Sequence, residues 1–260
     1  MTQTIQLSGT ALELIERGQG RPLLFLHAGE GLTAERPWLD LLSRHYRVIA
    51  PSHPGYGASP LIDGGAGGID DLAYLYLDLA RELGLENAAL VGADLGGWIA
   101  AEMMVRSTVR FSCLVLVAPL GIKLRGRDER DIADIHAMTR AEYLQAAWAN
   151  PAKGEVDYAA LPDSELAAIV RGREAFAVYG WKPYMHNPRL KRWLHRIDRP
   201  TLLLWGAQDG IVTPDYGAGW RREIPGARLD VVPAAGHFPH WEQPEAFVEC
   251  LSAFVDGRNA

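Results

Sequence analysis

Val91-Gly92-Ala93-Asp94-Leu95-Gly96-Gly97-Trp98 is the stretch on which the fold turns. Apolar residues up to Val91 read as the end of a strand, and Leu95 opens an apolar helix. Gly92 and Gly96 bracket the residue between them. That Gly-x-Asp-x-Gly spacing fits a tight strand-to-helix turn that thrusts its central side chain up from a sheet. A helix N-terminus favours negative charge through its free N–H groups and its dipole, so an aspartate suits the place. The plainer reading of Asp94 is an acidic N-cap.

The rest of the chain repeats the strand–helix theme. Residues 4–7 and 11–15 predict an edge hairpin joined at Ser8-Gly9. Strands are expected at 22–27, 46–50, 88–91, 114–117, 202–205 and 228–232. Helices are expected at 70–83, stopped by Gly84, and at 95–105 and 244–254. Short apolar strands alternating with helices imply an α/β domain with a mostly parallel sheet covered on both faces. The alternation breaks at 121–197, a stretch richer in charge and aromatics. Helices are expected there at 129–138, 141–149, 163–178 and 188–197. The expected organisation is a core of 1–120 and 198–260 with a helical cap, or lid, of 121–197 inserted after the sixth strand. Such an insertion would lie over the strand ends, where parallel sheets bind ligands, and would exclude water there.

Two more segments join the turn. Leu204-Trp205-Gly206-Ala207-Gln208-Asp209 is a strand followed by a loop acid. Ala235-Gly236-His237-Phe238-Pro239-His240 follows the last strand. The chain order is nucleophile, acid, histidine. With the His27-Ala28-Gly29 loop and Pro54-Gly55-Tyr56-Gly57-Ala58-Ser59, these segments resemble the α/β-hydrolase superfamily over almost the whole length. The resemblance implies that His237 is the general base, that Asp209 orients it, and that the backbone N–H groups of Leu95 and of Gly29 or Ala28 form an oxyanion hole.

The usual serine is replaced by Asp94. Carboxylate attack on an ester would give a high-energy mixed anhydride. Attack on an sp³ carbon gives an alkyl ester stable enough to accumulate, which water activated by His237 would then hydrolyse. That scheme is similar to the epoxide hydrolase and haloalkane dehalogenase branches, which also use aspartate. Those branches usually carry His-Gly-x-Pro in the first loop, where Glu30 now stands in the proline position, and often Trp where Leu95 stands. Gly96-Gly97-Trp98 and the His237 loop look more like the serine esterase and carbon–carbon hydrolase branch.

The expectation is therefore a hydrolase of a small organic molecule with an Asp94–His237–Asp209 triad, closest to epoxide opening and less to dehalogenation. The alternatives are an esterase or carbon–carbon hydrolase scaffold in which Asp94 replaces serine, naturally or by design, a lyase or isomerase using Asp94 and His237 for proton transfer, and a binding protein without turnover. Candidate substrate contacts are Glu30, Tyr143, Tyr179, Trp181, Tyr184 and Phe238, with Tyr158 and Lys182 in the same stretch. An epoxide hydrolase needs lid acids, usually two tyrosines, and no spacing selects a pair. His27 reads as a loop-ordering residue, His240 as structural, Asp215 as a first-turn helix residue and 125–130 as a solvated charge cluster.

Composition bounds the rest. The chain has 260 residues, 48% hydrophobic and 22% charged, enough for one substantial core. The net charge of −6 argues against nucleic acid as partner. No apolar run approaches a membrane span and no secretory signal is visible, so a cytoplasmic protein without a membrane partner is expected. Cys113 and Cys250 read as small apolar residues rather than a disulfide. Gly64-Gly65-Ala66-Gly67-Gly68 follows no strand, and there is no metal-ligand cluster, so neither cofactor nor metal is expected. The sequence does not set the oligomeric state.

Overall fold

The computed structural model describes residues 2–32, 36–62, 67–126, 128–181 and 183–257. Residues 64–66 of the glycine-rich loop, position 127 of the charge cluster, and Lys182 lie outside them.

Eight strands form one sheet: β1 (Thr2–Leu7), β2 (Thr10–Arg17), β3 (Pro22–Leu26), β4 (Arg47–Pro51), β5 (Ala88–Ala93), β6 (Phe111–Val117), β7 (Thr201–Gly206) and β8 (Arg228–Val232). Their order is β1-β2-β4-β3-β5-β6-β7-β8. β1 and β2 form the expected antiparallel hairpin, and β2 is also antiparallel to β4. From β4 to β8 every pairing is parallel. This is the α/β-hydrolase fold.

The strands bury side chains on both faces, as parallel strands must. Along β3, Leu24 and Leu26 enter one core and Leu23 and Phe25 the other. The first core is closed by α2 (Ile69–Glu82) and α3 (Leu95–Arg106), the second by α1 (Pro37–Ser43) and α9 (Pro244–Val255). On α2 the buried residues Leu72, Leu75, Tyr76 and Leu79 recur at helical spacing. α3 is buried throughout from Leu95 to Val105, because sheet and neighbouring helices enclose it.

The chain runs from β3 to β4 on one side, then crosses back to β5 on the other. The carboxyl ends of β3 and β5 therefore flank a topological switch point, the favoured ligand crevice of open α/β sheets. The loop after β3 carries Gly29, and the turn after β5 carries Asp94.

Between β6 and β7 the chain forms α4 (Arg140–Ala147), α5 (Asp163–Gly180), α6 (Leu190–Trp193) and short 3-10 turns at Pro151–Gly154, Tyr158–Ala160 and Leu194–Arg196. α4 begins with a capping box, Thr139 and Glu142 bonding each other's backbone. The helix expected at 129–138 does not form. Asp131 instead accepts the N–H groups of Leu124 and Arg125, and Ala133 N–H bonds the Ile211 carbonyl. These loop contacts outcompete the helical pattern. α7 (Pro214–Glu223), with Asp215 in its first turn, and α8 (Pro239–Glu242) complete the described elements. Among the described residues no helix is long and apolar enough to cross a membrane.

Candidate active site

Asp94 sits on the turn with φ 52° and ψ −114°, a region that non-glycine residues seldom adopt. Its neighbours show why they are glycines. A Cβ at Gly92 would lie 2.3 Å from the Gly96 carbonyl oxygen, and one at Gly96 would lie 2.2 Å from that of Leu26. Asp94 occupies the N-cap position but makes no capping hydrogen bond. Its carboxylate is used elsewhere: Oδ2 accepts the Gly29 N–H at 2.8 Å, and Oδ1 lies 3.2 Å from His237 Nε2.

His237 Nδ1 lies 2.9 Å from Asp209 Oδ2. Asp209 is held in turn, its Oδ1 accepting the N–H groups of Ile211 and Val212 at 2.9 and 3.0 Å. All three side chains are buried. Burial works against the His237 imidazolium, yet Asp209 and then Asp94 outweigh it and raise the pKa to about 10. Both acids that face the ring thus favour its charged form.

The structure brings Asp94, Asp209, His237 and Gly29 together as the sequence implied. Of the two first-loop candidates, Gly29 is the one whose N–H meets the Asp94 carboxyl; the Ala28 carbonyl accepts from Gly31 N–H and His27 Nδ1. Leu95 N–H, the first of α3, follows Asp94 directly and has no acceptor among the described residues.

A buried histidine pair braces the loop after β3. His53 N–H donates to His27 Nε2 at 2.9 Å, so His27 carries its proton on Nδ1 and gives it to the Ala28 carbonyl at 2.7 Å. His53 Nε2 donates to the His27 carbonyl, leaving Nδ1 to accept the Tyr76 hydroxyl. Each ring is thus neutral and fully bonded. Burial lowers His27 to about 4 and His53 well below its usual value, in keeping with that assignment.

The candidate contacts divide. Glu30, next to Gly29, accepts the Tyr143 hydroxyl from α4. Burial, then Glu30, pushes that phenol well above its ordinary range. Phe238 lies edge-on to the His237 ring at 4.8 Å and is backed by Trp148 and Trp241. The other candidate aromatics of 121–197 do not join them. Tyr179 is buried with its hydroxyl on the Pro54 carbonyl, so it ties α5 to the core. Tyr184 donates to the Ala133 carbonyl and accepts Ile135 N–H, which saturates it. Trp181 is 62% exposed. With Tyr184 it borders a separate cleft of about 470 Å³ that none of the triad lines. Tyr158 is engaged by Arg173. Among the described residues of 121–197, Tyr158, Tyr179 and Tyr184 are thus each engaged apart from Tyr143. His240 is buried among Phe25, Trp38, Phe238, Trp241 and Phe247, a packing role.

Three residues escaped sequence reasoning. Phe176 of α5 lies over Gly29, where an added Cβ would meet its ring at 2.7 Å. Tyr56 donates to the Gly29 carbonyl at 3.1 Å. Glu242 is a buried carboxylate behind the His237 loop. Two had a signal: Tyr56 lies in the quoted Pro54–Ser59 segment, and Glu242 is an acid five residues after His237 in an otherwise aromatic run.

The sequence model of the Alpha/beta hydrolase family matches residues 23–250. The chain is 26% identical over 273 residues to a 2-hydroxy-6-oxo-6-phenylhexa-2,4-dienoate hydrolase of Burkholderia cepacia, covering 93% of this chain and 90% of that one. It is 28% identical over 260 residues to a pimeloyl-[acyl-carrier protein] methyl ester esterase of Photobacterium profundum, covering 95% and 99%. A serine hydrolase structure from the polyaromatic hydrocarbon-degrading bacterium Cycloclasticus zankles superposes with a TM-score of 0.81 at 20% identity, over 100% of this chain and 99% of that one. The strand order, the turn at residue 94 and the match over residues 23–250 agree: the chain belongs to the alpha/beta hydrolase family.

Proposed function

We propose that this chain hydrolyses a small organic substrate through Asp94, His237 and Asp209, and that Asp94 attacks an sp³ carbon to form an alkyl-enzyme ester. One observation carries the reading: Asp94 Oδ2 accepts the Gly29 N–H at 2.8 Å, while Oδ1 faces His237. In alkyl-ester chemistry the oxyanion of the second step forms on the aspartate's own oxygen, so the hole donors belong on Asp94. A substrate carbonyl would instead have to displace Oδ2 from its donor.

In the first step Oδ1 bonds to the substrate carbon and the bond to the leaving halide, or to an epoxide oxygen, breaks. Esterification removes the negative charge beside His237, which lowers its pKa; the ring gives its proton to the leaving group, by way of solvent for a halide, and is then free to act as a base. Water then attacks Cγ of Asp94 and gives a proton to His237. The negative charge on Oδ2 is held by Gly29 and Leu95 N–H. Collapse expels the alcohol, which takes that proton from His237, and the new Asp94 carboxylic acid then gives its own proton to the ring, restoring the starting pair. The sum is substrate plus water giving alcohol plus the protonated leaving group, or a diol from an epoxide. Tyr143, with its hydroxyl on Glu30, is the lid tyrosine left near Asp94 to meet a departing oxygen. Residues 121–197 act in this reading as the cap, with Phe176 and Tyr143 bordering the reaction space.

A second reading has its own support. The relatives named above are an ester hydrolase and a dienoate hydrolase, which favours a carbonyl substrate, with Asp94 standing in for serine. The His237→Gln variant separates the two, because the second step then stalls. Intact-mass measurement after exposure to an epoxide, an alkyl bromide and a p-nitrophenyl ester should show an alkyl adduct at Asp94 from one of the first two. An adduct from the ester alone, with Asp94→Ser gaining ester hydrolysis, establishes the second reading instead.

A further inference from the structure

Glu242 is 2% exposed and lies behind the histidine loop. Its Oε2 accepts the N–H of Gly236 at 2.6 Å and of Ala149 at 3.0 Å, and its Oε1 accepts the N–H of Asn150 at 2.9 Å. Gly236 precedes His237. Ala149 and Asn150 follow α4 in the segment inserted between β6 and β7. One buried carboxylate thus joins the loop that aims His237 to the segment that covers it. The seam is close elsewhere too. His237 N–H donates to the Ala147 carbonyl at 2.7 Å, and a Cβ at Gly236 would lie 2.4 Å from that oxygen. Lys153 Nζ bonds the Glu242 carbonyl at 2.7 Å.

We infer that Glu242 is a positioning residue, which sets the aim of the His237 ring by locking the histidine loop to the 147–150 segment. A buried carboxylate is costly unless its lone pairs are filled. Here three backbone donors fill them, and the Gly236 N–H, in a buried residue, would otherwise lack an acceptor. No neutral side chain of this shape offers three acceptor positions at two oxygens. The glutamine amide oxygen can keep Gly236 and Ala149, but its NH₂ then faces the Asn150 N–H, donor against donor. Alanine frees all three. The two variants should therefore form a graded series. The functional weight of the inference rests on His237 being the base proposed above; the placement of its ring does not.

The test reads the ring directly. In protein labelled with ¹⁵N at histidine, the His237 Nδ1 proton bonded to Asp209 should give a strongly downfield resonance. The groups facing the ring are Asp94, Asp209 and His240. E242A should broaden or lose that resonance and cut turnover about 100-fold, the cost of roughly an ångström of misplacement. E242Q should shift it and cut turnover on the order of 10-fold, with KM within about twofold. Val255→Ala, a buried position on α9, controls for general destabilisation and should leave the resonance in place. An unchanged resonance in folded E242Q and E242A overturns the inference. If E242A fails to fold, E242Q decides alone. If the resonance moves as expected while Asp94 never forms an ester, the positioning role stands and the reaction assigned above fails.

Discussion

Replacing Asp94 by Asn removes one of the two charges that hold His237 protonated and leaves the shape of the site intact. The magnitude follows from the geometry. Unit charges 3.2 Å apart interact by about 5 kcal/mol at an effective dielectric near 20. The rise of His237 from 6.5 to about 10 likewise amounts to about 5 kcal/mol in total. That total is net of burial and is shared with Asp209, whose pull is the larger. An opposite charge at this range is worth about 1–3 pKa units. D94N should therefore bring the His237 midpoint down from about 10 to about 7–9. NMR titration of the ring in wild type and D94N measures it. The asparagine also mimics the charge of an esterified Asp94, so the same experiment reads the change that makes His237 a base after the first step. A midpoint that does not move on D94N would refute the reasoning, because Asp94 would then hold no charge against the ring.

Other consequences are direct. The raised His237 pKa stabilises the fold fully below pH 6.5, and that stability is lost as pH climbs through about 10. The stability gap between wild type and H237Q, from denaturant titrations, should close across this window by up to about 1.4 kcal/mol per pH unit. G29A places a methyl 2.7 Å from the Phe176 ring, so it should cost about 1–3 kcal/mol and at least about 10-fold in turnover. The pair G29A/F176L should recover most of the stability, by thermal melts of single and double variants. G96A meets the Leu26 carbonyl oxygen at 2.2 Å, a backbone atom that cannot yield, and should not give folded protein on expression.

The core was legible because burial on both sheet faces writes itself as short apolar runs. All eight strands and the helices α2, α3 and α9 fall within a few residues of their expected places. The grouping of Asp94, Asp209 and His237 was legible because each follows the carboxyl end of a recognisable strand. α1 carried a signal that went unused, Pro37 at the first helical position followed by Trp38, Leu39 and Leu42. The 121–197 stretch was least legible. Its side chains are placed by partners far away in sequence: Tyr179 by Pro54, Tyr143 by Glu30, Phe176 by Gly29. No local period encodes such pairs. Asp131 shows the same thing in reverse, since its hydrogen bonds to Leu124 and Arg125 hold open a segment whose composition suits a helix.

The central claim is that Asp94 becomes covalently bound to substrate. A single turnover in ¹⁸O-water, with enzyme in excess over an epoxide or alkyl halide that it converts, followed by digestion and mass measurement of the Asp94 peptide, tests it most directly. Hydrolysis by attack on Cγ leaves one solvent oxygen on the aspartate, so the peptide should gain about 2 Da. Product formed in full with an unlabelled Asp94 peptide would contradict the account.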